Sequence, residues 1–307
     1  MEFGVHLPQM GIHASRENLI RFAQEAERLG YHSGWVSDHI AWPQGIASKY
    51  PYTANGDFPA PNNMAWLDPL GTLIFVSAVT ERLKLGTTVL ILGYRPPVQT
   101  AKLIATLDAV SNGRTILGVG VGWMKEEFDA LGMPFDHRGA RADEQLDVFE
   151  ALFTQPEPSN EGGRFYPFPA LGFSPKPAQG HVPIWVGGDT DPAFRRVAKY
   201  GDTFHAAFTP LPLLREQWQR VRQFATEAGR DPDSIGFSTR VYLDFEATMD
   251  PAKSISGSPA EMLDQLAEYR AAGIGHLLFD IVARGGAEGR EEAMRRFASD
   301  VMPNAPE

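Results

Sequence analysis

The feature that most constrains the fold of this chain is a regular alternation of short apolar segments with longer segments of helical periodicity. The short segments have the composition of buried strands, and the longer ones place apolar residues on one helical face. The predicted strands cover residues 3–8, 33–37, 84–92, 114–120, 184–187, 202–207, 236–245 and 276–281. The predicted helices cover residues 15–29, 69–79, 98–111, 123–131, 138–152, 192–200, 212–228, 259–272 and 289–301.

Each of these eight predicted strands is followed by a helix, with no terminal block of different character. A series of right-handed strand-helix units of this number closes into a barrel more naturally than it forms an open sheet. The sequence therefore predicts an α/β protein, a (β/α)8 TIM barrel that occupies residues 1–307 as one domain. Two insertions interrupt the alternation, at about 40–66 after the second strand and at 154–183 before the fifth. The second is rich in proline, and a hairpin is predicted within it at 163–168.

Composition excludes several classes of function. The chain has no cysteine, which rules out disulfide frameworks, thiolate metal sites and cysteine nucleophiles. Its 28 basic and 38 acidic side chains give a net charge of −10, which argues against binding to nucleic acid or an anionic membrane. The N-terminal residues do not resemble a signal peptide, and the apolar stretch at 69–80 is about half of what a membrane helix needs. We expect a soluble cytoplasmic protein.

In a barrel of this type the active site lies where the strands end, so the residues just after each strand are the candidates. Asp38 and His39 follow the second strand. An imidazole can donate or accept a proton near neutral pH, which suits acid-base chemistry. The pair can also serve only to cap a loop or fill a mixed core. Its place at the strand end favours a functional role.

Glycines follow the fourth and fifth strands. The stretch 118–122 alternates glycine with valine, but Trp123 stands where a dinucleotide-binding fingerprint requires its last glycine. These glycines either let a ring approach the backbone or pack against a neighbouring element. Gly187, Gly188 and Asp189 lie between a strand and a helix that begins near Pro192, an arrangement that binds phosphate through backbone N–H groups.

The first insertion is rich in aromatic residues for a solvated loop, so it either covers an apolar substrate or packs down as a small core. Its aromatic residues are Trp42, Tyr50, Tyr52, Phe58 and Trp66. Phe208 follows the sixth strand and is a further candidate for substrate contact. A different hypothesis is a metal-dependent hydrolase, because N and O ligands suit zinc or manganese. Its ligands would be His6, His39, His205 and Asp280.

Five motifs in order resemble the bacterial luciferase-like superfamily of flavin and deazaflavin oxidoreductases. They are FGVHLP at 3–8, VSDH at 36–39, KLGTTV at 84–89, LGVGVGW at 117–123 and PIWVGG at 183–188. The resemblance spans nearly the whole chain and is greatest to the branch that depends on coenzyme F420. It implies a barrel whose mouth holds the cofactor ring, with hydride transfer at the ring centre.

The resemblance also assigns roles to individual residues. It implies that His39 lies near the reactive ring atom, as the catalytic residue, and that Asp38 lies beside the cofactor. Thr88 and Val89 match the position of a non-prolyl cis peptide behind the ring. Gly122, Gly187 and Gly188 match positions that line the ring and the phosphate tail, and Trp42 matches an aromatic residue placed over the substrate.

One position departs from the pattern of the family. The sugar-phosphate dehydrogenases carry an acidic glutamate directly after the glycines of the fourth strand, where this chain has Trp123, with Glu126 and Glu127 one turn later. Trp123 therefore predicts an apolar substrate wall. We expect F420 as the cofactor and a small apolar substrate, with no metal. The alternative is an FMN-dependent monooxygenase that receives reduced flavin from a partner reductase. The resemblance further implies a homodimer.

Overall fold

The computed structural model describes residues 1–51, 53, 55–58 and 63–306, so Tyr52 of the aromatic insertion lies outside the described part. The strands are β1 (Glu2–His6), β2 (Ser33–Val36), β3 (Lys84–Thr87), β4 (Leu90–Ile91), β5 (Thr115–Gly120), β6 (Ile184–Val186), β7 (Thr203–Ala207), β8 (Gly236–Asp244), β9 (Ser254–Ser256) and β10 (His276–Ile281). The helices are α1 (Arg16–Arg28), α2 (Pro69–Ser77), α3 (Pro97–Val110), α4 (Lys125–Ala130), α5 (Arg138–Thr154), α6 (Asp191–Tyr200), α7 (Leu211–Glu227), α8 (Pro259–Ala271) and α9 (Gly286–Asp300).

Eight parallel strands close into a barrel in the order β10, β1, β2, β3, β5, β6, β7 and β8. The ring is closed by β10, which pairs with β1 on one side and with β8 on the other. Helices follow the strands and pack around the outside, which confirms the predicted (β/α)8 TIM barrel. All the barrel strands therefore end at the same mouth, and the loops that follow them can share one site.

Local signals in the sequence explain where the first helix begins and ends. The Ser15 hydroxyl accepts a hydrogen bond from the Asn18 backbone N–H at 3.2 Å, which caps the start of α1. Gly30 follows the helix with a φ of 85°, a conformation that glycine adopts without steric cost. Within the described part of the chain, no helix has the length and apolar character needed to cross a membrane.

Three predicted elements differ from the structure. The third predicted strand, 84–92, is divided into β3 and β4 at residues 88 and 89. The hairpin predicted at 163–168 is wrong, because 154–183 contains no strand and two backbone hydrogen bonds between Asn160 and Phe168 close this segment as a loop. The short strand β9 beside the end of β8 was not predicted.

The interior of the barrel is filled by rings as well as by aliphatic side chains. Trp35 stacks on His205 with 5.3 Å between ring centroids, and Trp185 lies edge-on to His276 at 4.9 Å. All four side chains are buried. The barrel therefore has a packed centre rather than a pore, and a ligand has room only above this layer, at the mouth.

Candidate active site

A cavity of about 780 Å³ opens at the mouth of the barrel. The ends of β2, β3, β5, β6, β7, β8 and β10 all contribute to its wall. Of the residues predicted from sequence, those that line it are Asp38, His39, Thr88, Val89, Gly122, Trp123, Gly187, Gly188, Asp189 and Phe208. The described lining residues do not include Trp42. The structure thus brings residues from distant parts of the sequence to one concave surface.

His39 is held by the buried carboxylate of Glu127. The distance from His39 Nδ1 to Glu127 Oε2 is 2.6 Å, and the Glu127 side chain is 0% exposed. The hydroxyl of Tyr94 donates a second hydrogen bond to Oε2, and the backbone N–H groups of Ile40 and Ala41 donate to Oε1. Four donors therefore converge on this carboxylate, and they fix its position.

The environment of Glu127 determines which ring nitrogen of His39 carries a proton. Burial by itself raises the pKa of the Glu127 carboxyl, but the hydrogen bonds from His39, Ile40 and Tyr94 hold the pKa below its ordinary value. An ionised carboxylate only accepts hydrogen bonds, so Nδ1 of His39 is the protonated nitrogen. Among the described residues Nε2 has no hydrogen-bond partner, and it is the nitrogen that is free to exchange a proton with a ligand.

Asp38 is held by an arginine from the loop after β4. Arg95 binds it through two hydrogen bonds of 2.7 and 2.9 Å, and the backbone N–H of Ile91 donates a third. Burial raises the pKa of the Asp38 carboxyl, and Arg95 opposes that shift. Arg95 also binds Asp68, which precedes α2, at 2.8 Å. Asp38 therefore joins the loops after β2 and β4 and fixes the floor of the cavity.

The Thr88–Val89 peptide bond is cis, as the resemblance implies. The Thr88 carbonyl accepts hydrogen bonds from the Ser37 hydroxyl and from Arg240, and its hydroxyl lies 3.0 Å from His205 Nε2. Val89 lies beside Gly187, which follows β6. A Cβ atom added to Gly187 would stand 3.0 Å from the Cγ1 atom of Val89. This segment forms a fixed, partly apolar surface in the cavity wall.

One end of the cavity has the features of an anion site, and we call it the anion end. It is lined by Gly187, Gly188 and Asp189, by Arg138 and Arg196, and by the first residues of α5 and α6. Gly188 has a φ of 130°, and a Cβ there would stand 2.7 Å from the Ala193 Cβ, so only glycine fits.

The charges at the anion end leave one arginine without an acidic partner. Arg196 binds Asp143 at 2.7 Å. Arg138 forms no ion pair with any described residue, lies over the ring of Phe135 and donates a hydrogen bond to the Gly122 carbonyl at 3.2 Å. Both α5 and α6 begin without a side-chain cap, so their first N–H groups are open to a ligand. Two helix N-termini and a guanidinium at one place have the chemistry that suits an anion such as a phosphate group.

A second part of the cavity wall, which we call the aromatic end, is built from rings. Phe58 stacks on Trp123 with 5.7 Å between ring centroids, and Tyr50 meets Trp123 edge-on. The Trp42 ring lies against His39, with 4.5 Å between ring centroids and a tilt of 30°, so it contacts the site through the imidazole. The described part of the first insertion is therefore packed over the mouth, and its rings surround His39.

Phe208 lies on a third side of the cavity. Its backbone has a φ of 50°, and its ring stacks on Tyr242 at 4.6 Å. Arg240 lies over the Phe208 ring and binds Asp280 through three hydrogen bonds. The wall here combines an aromatic surface with the ion pair of Arg240 and Asp280, whose charges cancel.

The four residues of the metal hypothesis are each committed to other partners. His6 lies 2.9 Å from the Ser37 hydroxyl, His39 binds Glu127, and His205 lies between Thr88 and Ser238. Asp280 binds Arg240. Within residues 1–51, 53, 55–58 and 63–306, no group of three or more side chains is arranged to hold a metal ion. The structure gives the metal-dependent hydrolase no support.

Several residues of the site were not predicted, among them Glu127, Arg95, Arg138 and Arg240. Glu127 lies 88 positions from its partner His39, and a contact at such a separation leaves no periodic trace in one sequence. Arg95 was visible as a charged residue soon after the third predicted strand, and Arg138 as part of a basic turn. Arg240 stands inside a predicted strand, where only its charge in an otherwise apolar stretch marks it.

Comparison with known proteins agrees with the fold. A family model described as luciferase-like monooxygenase matches residues 1–254. An uncharacterized protein of Mycobacterium tuberculosis is 36% identical over 211 residues, covering 69% of this chain and 72% of that protein. An F420-dependent glucose-6-phosphate dehydrogenase of Amycolatopsis mediterranei is 25% identical, covering 96% and 98%. The crystal structure of the monooxygenase RslO1 from Streptomyces bottropensis has a TM-score of 0.78 at 22% identity, covering 99% of both chains.

Proposed function

The chain belongs to the luciferase-like monooxygenase family, and we propose that it is an oxidoreductase that transfers a hydride between coenzyme F420 and a small, largely apolar organic molecule. The observation that carries the proposal is the division of one cavity into two ends. The anion end suits the phosphate of a cofactor tail, and the aromatic end places an oriented imidazole among rings. When bound, a deazaflavin ring supplies the atom that accepts or donates the hydride.

The residues of this chain have separate tasks in the proposal. Gly188 and Asp189 would hold the phosphate through their backbone N–H groups, and Arg138 would add its charge. The N–H of Gly187 donates to the Val119 carbonyl, so this residue would line the site without donating to the phosphate. Asp189 contributes through its backbone, because its own carboxylate would repel the phosphate. Thr88 and Val89 support the ring from behind.

His39 moves the proton that accompanies hydride transfer. Its Nε2 atom accepts the proton from a substrate hydroxyl when an alcohol is oxidised, or returns it when a carbonyl is reduced. Glu127 keeps the ring in the productive orientation and stabilises the imidazolium form. Trp123 and Phe208 contact the substrate, and Trp42 exerts its effect by holding the His39 ring. The apolar walls exclude water and favour a substrate with little charge near the reacting atom.

The name of the Amycolatopsis relative supports F420, since that protein aligns over nearly the whole chain. FMN is the second candidate, because it also ends in a phosphate and the matching family model is described as a monooxygenase.

The anionic tail of F420 requires further basic groups near the site. Arg195 lies over the ring of Phe224 and Lys199 binds Asp147, so both are held beside other groups of the chain.

The two cofactors are distinguished by titrating the purified protein with F420 and, separately, with FMN. Tryptophan fluorescence reports binding, because Trp66 and Trp123 line the cavity. We expect saturable quenching with F420 at lower concentrations than with FMN.

Arg138→Gln should weaken the binding of either cofactor by about tenfold, since it removes a charged hydrogen bond to phosphate. Oxygen consumption and an oxygenated product with reduced FMN would favour the monooxygenase. Failure of both cofactors to bind would contradict the proposal.

The role of His39 is tested with the substrate that the wild-type enzyme turns over. His39→Ala should lower kcat by about a hundredfold or more, because proton transfer to a positioned base contributes roughly this factor. Cofactor binding should change little. His181→Ala is the matched control, since His181 binds Asp202 at the surface and does not line the cavity. An unchanged kcat in His39→Ala would remove the acid-base role.

A further inference from the structure

A second cavity of about 410 Å³ adjoins the first. It lies between the loop after β1, helix α1, the end of β10 and the start of α9. The two cavities share the side chains of Met10, Met64, Arg240, Tyr242 and Asp280 as a common wall. Methionine side chains are unbranched and flexible, so part of this wall can move aside at small cost. A ligand can therefore extend from one cavity into the other.

Most of the second cavity is apolar. The residues that make this surface are Leu7, Pro8, Ile12, Phe22, Ile281 and Val282. The Ile12 side chain is 94% exposed, which is unusual for a large apolar residue. The surface continues from the rim toward Met10 and Met64. It is suited to a hydrocarbon chain rather than to a sugar or a nucleotide.

The charges around this cavity do not cancel. Asp280 is neutralised by Arg240 at 2.8 Å, and Glu291 is neutralised by Arg21 at 2.6 Å. Burial lowers the pKa of His6 to about 4, so its imidazole is neutral at pH 7. His13 packs beside the start of α9, and burial lowers its pKa too. Asp280, Glu291, His6 and His13 therefore add no net charge to the cavity, and Arg290 is the remaining charged group in its lining.

Arg290 lines the cavity from the first turns of α9 and makes no hydrogen bond or ion pair within the part of the chain that the structure describes. It is half-buried. The other charged groups that line the cavity, Arg240, Asp280 and Glu291, each have a partner of opposite charge, and Arg290 has none among the described residues. Carboxylates are the organic anions that a guanidinium fork binds through two parallel hydrogen bonds.

We propose that the second cavity binds the carboxylate end of an aliphatic acid, with Arg290 as the residue that recognises it and the hydrocarbon chain running toward the first cavity. The substrate class that follows is a carboxylic acid whose reacting carbon lies near His39, at the opposite end from the carboxylate. This last step rests on the proposed function of the first cavity. The proposal that the acid binds in the second cavity does not rest on that function.

The test is calorimetric titration of the purified protein with octanoate and with 1-octanol, which have the same chain length and differ in charge. We expect octanoate to bind at least tenfold more tightly than the alcohol. Arg290→Gln should weaken octanoate binding by about tenfold to a hundredfold and leave the binding of 1-octanol unchanged. Arg284→Gln is the matched control, because Arg284 is six positions earlier, 87% exposed and paired with Glu246; it should bind octanoate like the wild type.

A second variant tests the place of binding without removing a charge. Ala287 lines the cavity on the first turn of α9, and Ala287→Leu narrows it. We expect this variant to lose octanoate affinity while its melting temperature stays close to that of the wild type. Equal binding of octanoate by Arg290→Gln and by the wild type would overturn the proposal, as would the absence of octanoate binding to the wild type.

Arg138→Gln distinguishes the second cavity from the anion end, which can also attract a carboxylate. Loss of octanoate binding in that variant, with binding retained in Arg290→Gln, would place the acid at the anion end and overturn the proposal. The octanoate titrations give the same test whichever cofactor the protein binds. If octanoate binding depends on Arg290 but neither F420 nor FMN binds, the proposed function is wrong and the second cavity is still an acid-binding site.

Discussion

Glu127 determines what His39 can do chemically. A neutral imidazole has one donor and one acceptor nitrogen, and a partner at one nitrogen decides the role of the other. Here the carboxylate accepts from Nδ1 at 2.6 Å, and the carboxylate itself is saturated by three further donors. Because Glu127 is fully buried, water does not compete for these bonds. Nε2 is thus presented to the cavity in a fixed tautomer.

Glu127→Gln tests this arrangement without any substrate. The amide that replaces the carboxylate has one acceptor oxygen for four donors, so at least one buried donor is left unpaired. We expect the free energy of unfolding to fall by about 1 to 3 kcal/mol. The ¹⁵N spectrum of His39 should change from the Nδ1-protonated tautomer to a mixture. Asp129→Asn, on the exposed side of α4, is the control. An unchanged tautomer in Glu127→Gln would contradict the positioning role.

The sequence identified His39 because a histidine directly after a strand stands at the barrel mouth wherever the barrel closes. It did not identify Glu127, which reaches His39 only because α4 folds back over the loop after β2. The resemblance implies that Trp42 lies over the substrate, which stays a prediction. The structure adds that its ring lies against the His39 imidazole, with 4.5 Å between ring centroids. Which side of a loop an aromatic residue faces depends on tertiary packing.

At the scale of elements, periodicity was sufficient to predict the eight barrel strands and the helices between them. It failed where the backbone departs from regular geometry. The stretch from Lys84 to Leu92 contains no proline and no charged residue after Lys84, yet β3 ends at Thr87 and β4 begins at Leu90. The Thr88–Val89 peptide bond between the two strands is cis. The loop 154–183 was recognised from its prolines as an insertion. Its internal path depends on Glu144, which binds the backbone N–H groups of Phe165 and Tyr166.

The turn from β5 to α4 depends on Gly122. Its φ is 79°, and a Cβ there would stand 2.8 Å from atoms of Ile91 and Phe128. The space beside this glycine is thus occupied by the protein itself, which supports the packing alternative rather than close approach of a ring on that side. The other side of the backbone faces the cavity.

Gly122→Ala and Gly132→Ala separate conformational cost from steric cost. Gly132, at the end of α4, also has a positive φ, of 66°, but a Cβ there would meet nothing within 4 Å. Gly132→Ala should therefore cost about 1 to 2 kcal/mol of unfolding free energy for the left-handed conformation alone. Gly122→Ala should cost a further 1 to 3 kcal/mol for the overlap with Ile91 and Phe128. Urea unfolding measures both values. Equal losses in the two variants would show that the turn relaxes without strain.

At the scale of the whole molecule, a chain of hydrogen bonds crosses the barrel from the mouth to the opposite face. The Thr88 hydroxyl lies 3.0 Å from His205 Nε2, and His205 Nδ1 lies 3.0 Å from the Ser238 hydroxyl. Ser238 in turn lies 2.9 Å from His276, and His276 lies 2.9 Å from Ser33. The polar atoms of these buried rings are paired with one another. Burial lowers the pKa of His205 and of His276, which favours the neutral form of both rings.

Stability should therefore fall on acidification below neutral pH. Burial lowers the pKa of His205 from its ordinary value of 6.5 to about 3, and that of His6 to about 4. Between these values and 6.5 the unfolded chain binds protons that the folded chain does not. Stability rises with pH wherever the unfolded state binds more protons, so each histidine carries no protonation penalty above pH 6.5 and destabilises the fold as the pH falls below that value. The penalty is roughly 2 kcal/mol for each histidine at pH 5.

Urea unfolding of the wild type and of His205→Gln between pH 7 and pH 4 measures this contribution. Between pH 6 and pH 4, the unfolding free energy of the wild type should fall more steeply than that of the variant. The difference in slope should be about 1.4 kcal/mol per pH unit, which corresponds to one proton. Trp185→Phe is the control, because this neighbour packs 5.6 Å from the His205 ring and does not titrate. It should lower stability by the same amount at every pH. Parallel curves for the wild type and His205→Gln would mean that His205 can be protonated within the folded barrel.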